Sequence, residues 1–149
     1  MSYSVNLLEL MGTKVATQVL FAENQPSEVK MWQAVVMTAF EDVTNKLSDK
    51  KSSIAKWDAF KWFHDKHEFE TVCYLADFDA DYVYERYQRA IDKDIIVFTP
   101  RQLAWARYSE VISQYNLETD KKKRSKLKKQ LEVERQRVMN ATTVPPMPN

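Results

Sequence analysis

Glycine, proline and cysteine are scarce in this sequence. The chain has one glycine, five prolines and one cysteine in 149 residues, and three of the prolines lie in the last five positions. An all-β protein needs many tight turns, which glycine usually supplies, so this composition argues against one. Apolar residues make up 44% of the chain and include 18 aromatic residues, which is enough for a core. We therefore expect an all-α fold whose helices are joined by short polar links.

The single cysteine, Cys73, excludes an internal disulfide, which fits a reducing compartment. The apolar residues near the N-terminus, Val5, Leu7 and Leu8, are interrupted by Glu9, and no basic segment precedes them. We expect neither a signal peptide nor a membrane-spanning segment. The expected location is the cytoplasm.

Few residues in the chain suggest catalysis. A chain with one glycine lacks a glycine-rich phosphate loop. His64 and His67 lie three residues apart and could hold a divalent ion on one helix face, but a surface pair at a helix end is the favoured interpretation. Cys73 could act as a nucleophile beside them, yet its place on an apolar helix face favours a core role. We expect a non-enzymatic protein that needs no metal or cofactor.

The net charge of +1 conceals an uneven distribution. Residues 121–137, KKKRSKLKKQLEVERQR, contain nine Lys and Arg residues against two Glu residues, a net +7, so the remaining chain is −6. A basic end on an acidic body is typical of a protein that binds a polyanion. Basic side chains that merely solvate an exposed helix face would give the same pattern, and both interpretations stay open.

The clearest amphipathic helix is predicted at residues 28–47. The preceding stretch NQPSE marks its start, because proline breaks what comes before and serine can cap. Its apolar positions recur at helical spacing: Val29, Trp32, Val35, Val36, Ala39, Phe40, Val43 and Leu47. Ser52 or Ser53 is expected to cap a second helix that ends near residues 64–67. Residues 1–24 fit either a helix or an alternating strand, and we favour the helix.

The stretch FETVCYLADFDADYVYERYQRA, residues 69–90, has the spacing of a helix-turn-helix. A short helix is predicted at 68–76, and a second helix begins after its cap, Asp79. Cys73 is the small residue where the helices cross, Asp77 tolerates a left-handed backbone in the turn, and Val83 is the apolar anchor of the second helix. A simple packed corner in a helical bundle is the alternative.

The second helix carries both signs of charge. Arg86 and Arg89 are one turn apart and could reach bases or phosphates together with Lys93. Its acidic residues oppose that role, because phosphate repels carboxylates. These residues are Asp79, Asp81, Glu85, Asp92 and Asp94.

A helical hairpin is predicted at residues 99–140. Thr99 and Pro100 form a strong start signal for a helix at 100–116. The last helix, 120–140, has a narrow apolar stripe, so we expect it to pack on that helix or on another chain. The predicted segments are an N-terminal segment 1–26, a helix-turn-helix-like domain 27–95, the hairpin 99–140 and a flexible tail 141–149.

The sequence resembles small uncharacterised phage and prophage proteins over about residues 31–88. Those proteins share a W-x-x-V-x-x-x-A-x-x-D segment and a later phrase F-x-x-V-C-x-L-A-x-x-D-x-x-x-V. The matching residues here are Trp32, Val35, Ala39 and Asp42, then Phe69, Val72, Cys73, Leu75, Ala76, Asp79 and Val83. Asp77 stands where the family usually has glycine. The resemblance implies a helix-turn-helix-like unit in a phage setting, and thus a location in the host cytoplasm.

The predicted layout is also similar to that of phage small terminase subunits, which recognise viral DNA, form rings through a helical hairpin and pass DNA to the packaging motor. This similarity implies DNA binding by residues 28–94, self-association through 99–140, and a tail that meets a phage motor or host protein. A small phage transcription regulator would have much the same parts.

The favoured function is therefore DNA binding, in genome packaging or transcription control. The predicted DNA contacts are Arg86, Arg89, Lys93, Lys121, Lys122, Lys123, Arg124, Lys126, Lys128 and Lys129. The alternative is a helical protein-interaction or structural module of a phage assembly that does not bind DNA. The acidic body and the acid-rich second helix favour that alternative.

Overall fold

The computed structural model of this protein describes residues 3–145 and consists of α-helices joined by short connections. Over these residues there is no β-strand, which confirms the expected all-α fold. The helices are α1 (Val5–Met11), α2 (Thr13–Leu20), α3 (Ser27–Thr44), α4 (Lys50–Phe63), α5 (Lys66–Leu75), α6 (Ala80–Asp92), α7 (Pro100–Leu117) and α8 (Lys121–Asn140), with a 3₁₀ turn at Ala22–Asn24. Part of the predicted flexible tail, residues 146–149, lies outside the described residues.

Side-chain caps explain where several helices begin. Asp79 accepts hydrogen bonds from the amides of Asp81 and Tyr82 and caps α6, as predicted. Thr99 caps α7 in a capping box with Gln102, and Pro100 takes the first helical position. Asp120 caps α8 by accepting a hydrogen bond from the Lys122 amide. The start signals predicted at Asp79 and at Thr99 with Pro100 are therefore confirmed.

Three predicted boundaries in the first half are wrong. Helix α5 begins at Lys66 rather than at residue 68, because Asp65 caps it. Helix α4 begins at Lys50 because Asp49, not Ser52 or Ser53, caps it: its carboxylate accepts from the Ser52 amide at 3.1 Å. The same bond lowers the pKa of the Asp49 carboxyl. Helix α3 ends at Thr44 rather than at residue 47, and Leu47 is 63% exposed.

The chain forms two compact units. Unit 1 comprises residues 1–44 and 58–96, and unit 2 comprises residues 45–57 and 97–149. Unit 2 thus joins residues 45–57 to the C-terminal hairpin. Helix α4 therefore contributes its first half to unit 2 and its last turns to unit 1.

Unit 1 has a core of apolar side chains from α1 to α6. Phe63 is central to it, since its ring stacks on Tyr87 at 4.1 Å and meets Phe40 edge-on at 4.9 Å. The stripe predicted for α3 is wrong at Val35, which is 40% exposed, while Met37 is fully buried. Cys73 is fully buried and is therefore a core residue. This burial raises the pKa of its thiol to about 12.

The N-terminal segment forms helices, as expected in preference to a strand, and the two helices α1 and α2 meet at Gly12. Gly12 has φ +86°, a conformation that glycine adopts without a steric penalty. Arg86 of α6 closes this junction, because its guanidinium donates to the carbonyls of Leu10 and Glu9, each at 3.0 Å. Those carbonyls lie in the last turn of α1, and the Glu9 carbonyl also accepts a hydrogen bond from the Gly12 amide at 3.2 Å.

Unit 2 is built on the α7–α8 hairpin. Tyr108, Val111 and Leu131 form its apolar centre, and Leu127 packs against them. At the start of α7 the unit is polar inside: the buried Lys56 ammonium donates to the carbonyls of Asn45 and Val97 and to the amide oxygen of Gln102. Gln102 in turn donates to the carbonyls of Asn45 and Leu47. These bonds tie the segment 45–57 to the start of the hairpin.

Candidate nucleic-acid interface

Helices α5 and α6 are joined by a short turn with the backbone expected at residue 77. Asp77 has φ +58°, and the Phe78 amide donates to the Cys73 carbonyl at 2.9 Å, a hydrogen bond that closes the end of α5. Cys73 and Val83 are fully buried. Aspartate can occupy this left-handed position because its short polar side chain tolerates it.

The outer face of α6 is mostly acidic. Asp81, Glu85 and Asp92 are exposed on this helix, and Arg89 is paired with Glu85 at 3.1 Å. This leaves little uncompensated positive charge for phosphate. Lys93 is exposed just past the end of α6, where its backbone amide caps the helix.

Arg86, the third predicted contact on α6, is half-buried and holds α1 through the two carbonyls described above. The Arg86 guanidinium therefore has a structural role within unit 1, where it binds the end of α1. Sequence reasoning placed Arg86 beside Arg89 from their spacing alone, and nothing in that spacing indicates a partner 76 residues away.

The lysines of α8 form a different surface. Six of them are exposed, and within residues 3–145 none forms an ion pair: Lys121, Lys122, Lys123, Lys126, Lys128 and Lys129. The acidic residues of this helix, Glu132 and Glu134, pair with Arg135 and Arg137 further along it. The first half of α8, residues 121–129, is thus an uncompensated cationic surface, which we call the lysine face.

Arg124 differs from its lysine neighbours. Its guanidinium donates to the carbonyls of Tyr115 and Glu118 at 2.8 and 2.9 Å, and it lies 4.0 Å from the centre of the Tyr115 ring. A cation at the C-terminal end of α7 is favourable, because the last carbonyls of a helix carry partial negative charge. Arg124 therefore fastens the hairpin turn.

The lysines in the first turn of α8 lie where positive charge is unfavourable for the helix. The first turn of α8 holds three lysines and no acidic residue. A helix N-terminus carries partial positive charge, so cations there destabilise the helix. The Asp120 carboxylate that caps α8 offsets part of this repulsion, and an anion bound by the lysines would offset more of it.

The two units differ strongly in charge. Unit 1 has seven Lys and Arg residues against fifteen Asp and Glu residues, a net −8, and unit 2 has fifteen against six, a net +9. Lys46, Lys50 and Lys51 add to the positive charge of unit 2, and all three are exposed. The sequence analysis missed them, because they precede α8 by seventy residues and only the fold brings both into one unit.

No group of three or more His, Cys, Asp or Glu side chains within residues 3–145 is arranged to hold a metal ion. His64 instead hydrogen-bonds the buried hydroxyl of Tyr87 through its Nε2, at 2.8 Å. Every helix in the described part of the chain is too short or too polar to cross a membrane.

Comparison with known proteins gives no match to this chain, whether from protein-family models, curated proteins or solved structures.

Proposed function

We propose that this chain is a non-enzymatic DNA-binding protein whose principal contact surface is the lysine face of α8. The observation that carries the proposal is the set of six exposed lysines that have no acidic partner among the described residues, in a unit of net charge +9. Counterion release from phosphates dominates the affinity of such surfaces for nucleic acid. The unfavourable position of the lysines at the N-terminus of α8 supports the same conclusion.

The contribution of α6 is secondary in this proposal. Arg89 is paired with Glu85, and Arg86 binds the end of α1. Of the three cations predicted here, only Lys93 is exposed with no ion pair among residues 3–145. A helix-turn-helix that reads bases would use the outer face of α6, and the carboxylates of Asp81 and Asp92 oppose phosphate there. The Asp77 turn and the buried Val83 support the motif, so α6 stays a proposed secondary contact.

The biological setting follows from the resemblance to phage proteins. On that basis we propose genome packaging or transcription control as the process, with self-association through residues 99–140. Exposed apolar side chains on the hairpin support self-association: Leu117 is 84%, Met139 70% and Val133 50% exposed. A phage motor or host protein is the proposed further partner.

A protein-interaction module without DNA binding is the second candidate function. The specific observation in its favour is the net charge of −8 on unit 1, together with the acidic outer face of α6. Such a surface favours a basic protein partner over a nucleic acid.

The deciding experiment is binding of a mixed-sequence DNA duplex at several salt concentrations. We expect the wild type to bind and to weaken steeply with salt. The logarithm of the association constant K falls linearly with the logarithm of the salt concentration. Replacing Lys126, Lys128 and Lys129 with glutamine should make this negative slope less steep by about 2 to 3, because each phosphate contact contributes roughly 0.9.

The matched control neutralises two cations of unit 1, as Arg89→Gln with Lys93→Gln. This variant should bind DNA nearly as well as wild type. If it loses as much affinity as the α8 variant, α6 is a main contact and the proposed surface is incomplete. If wild type fails to bind at low salt, DNA binding is excluded and the interaction module remains.

A further inference from the structure

A half-open cavity of about 330 Å³ lies within unit 1, between the end of α4 and the first turns of α5 and α6. Its volume is in the range of small-molecule sites. Its lining includes none of the residues assigned to DNA, and the proposed function leaves it unexplained.

Aromatic rings form the wall of this cavity. Phe63 and Phe69 have ring centres 5.8 Å apart, and Tyr84 meets Phe69 edge-on at 5.9 Å. The two phenylalanines are buried, whereas Tyr84 is half-buried. His64 completes the wall. The cavity is therefore apolar in its depth and open at one side.

The aromatic wall is held in place from behind. Phe63 stacks on Tyr87 with an angle of 11° between the ring planes, and the Tyr87 hydroxyl is hydrogen-bonded to His64. Tyr84 also packs on Tyr87, with ring centres 5.8 Å apart. A ligand would meet a wall whose rings are already ordered, which lowers the entropic cost of binding.

The charges at the rim favour a cation. Glu70 and Asp81 line the cavity, and Lys66 is the one lysine or arginine of its lining. Lys66 is 88% exposed and lies 4.0 Å from Glu70, a pair that solvent screens strongly. Asp81 forms no ion pair within residues 3–145. The net charge of −8 on unit 1 attracts cations to the same place.

The helix N-termini at the cavity do not reverse this preference. Helices α5 and α6 both begin here, and free N-termini would attract anions. Both are already capped by carboxylates: Asp65 accepts from the Glu68 amide, and Asp79 accepts from the amides that start α6.

We propose that this cavity binds the head group of a small organic cation, a quaternary or methylated ammonium. Aromatic rings attract such cations through their π-electrons, more strongly where water is partly excluded. Phe69 and Tyr84 would contact the methyl groups, and the Asp81 carboxylate would balance the charge. The apolar depth of the cavity suits a cation that carries methyl groups better than a bare ammonium or a metal ion, which need hydrogen bonds or oxygen ligands.

The test titrates the full chain with choline and with its uncharged isostere, 3,3-dimethylbutan-1-ol, followed by NMR chemical shifts. We expect choline to bind about tenfold more tightly than the isostere, as a cation–π contribution predicts. Shifts should centre on the amides of α5 and α6 that border the cavity. Equal affinity for the two compounds would reduce the site to an apolar cavity, and absence of binding by choline would refute the proposal.

Two variants and a matched control locate the site. Tyr84→Leu keeps an apolar side chain but removes the ring, and it should weaken choline binding at least several-fold, while Asp81→Asn should weaken choline without affecting the isostere. Tyr74→Leu is the control, because Tyr74 is a tyrosine of the same unit that is 82% exposed and outside the cavity. Unchanged choline affinity in Asp81→Asn and Tyr84→Leu would place any binding elsewhere. None of these outcomes depends on whether the chain binds DNA.

Discussion

Gly12 shows that the backbone conformation of one residue can determine how closely two parts of the fold approach each other. With φ +86° and ψ 165°, it occupies a region that is nearly restricted to glycine. A Cβ atom added there would collide with the Tyr82 hydroxyl and lie 3.0 Å from Nε of Arg86. The one glycine of the chain thus lets α6 approach the junction of α1 and α2.

We predict that Gly12→Ala lowers the free energy of unfolding by about 3 kcal/mol, from backbone strain and the collision with Tyr82. Urea denaturation followed by circular dichroism measures it. Adding Tyr82→Phe removes the colliding hydroxyl and should restore part of the loss, relative to Tyr82→Phe alone. A Gly12→Ala protein as stable as wild type would contradict the model of a close contact here.

Lys56 is the second residue whose environment has a measurable effect. Burial, and to a smaller extent the charge of Lys46, lower the pKa of its ammonium from 10.5 to about 8. Below pH 8 the amine is protonated in both the folded and unfolded states. Between pH 8 and 10.5 the unfolded chain holds the extra proton, so the contribution of Lys56 to stability increases as the pH rises.

The comparison with Lys56→Met isolates this effect from other titrating groups. Between pH 7.5 and 9.5 the free energy of unfolding of wild type should rise by about 2 kcal/mol relative to the variant. Urea denaturation of both proteins at the two pH values gives the difference. If the gap between them is the same at both pH values, the amine titrates outside this window.

At the scale of the element, α8 combines a proposed function with a local instability. Its first turn places Lys122 and Lys123 at the positive end of the helix. We predict that Lys122→Glu with Lys123→Glu raises the free energy of unfolding by about 1 kcal/mol while it weakens DNA binding. Thermal unfolding and a DNA titration on the same samples measure both effects.

The control for that prediction lies further along the same helix. Lys128→Glu with Lys129→Glu makes the same charge change away from the helix end, so it should weaken DNA binding without the gain in stability. A gain of similar size in both variants would mean that the repulsion is spread over the whole lysine face. A loss of stability in the Lys122 and Lys123 variant would show that these lysines have unrecognised partners in the fold.

The elements themselves were largely predictable, because their signals are local. Asp79 and Thr99 were identified as caps from a few neighbouring residues, and the turn at Asp77 from its flanking helices. The boundary at Asp49 was missed, because two serines close by are equally good caps by residue type. Residue type identifies possible caps, but packing in the fold determines which residue caps the helix. Ser53 is fully buried in the fold.

The candidate site was less predictable, since its decisive features join distant residues. The engagement of Arg86 with Leu10 and the burial of Lys56 among carbonyls 11 to 46 residues away leave no periodic trace in the sequence. The basic run at 121–137 is visible in the sequence. The sequence does not show that this run belongs to a unit of net charge +9, because that unit also includes residues 45–57, which are distant from the hairpin in sequence.

At the scale of the whole molecule, the separation of charge has a consequence for purification. The near-neutral sequence pI of about 7.8 describes neither unit. Cation-exchange and anion-exchange resins should both retain the chain at one pH, each through a different unit, although the net charge is +1. Retention on an immobilised polyanion such as heparin is therefore expected from the charge of unit 2 alone, whatever its natural ligand.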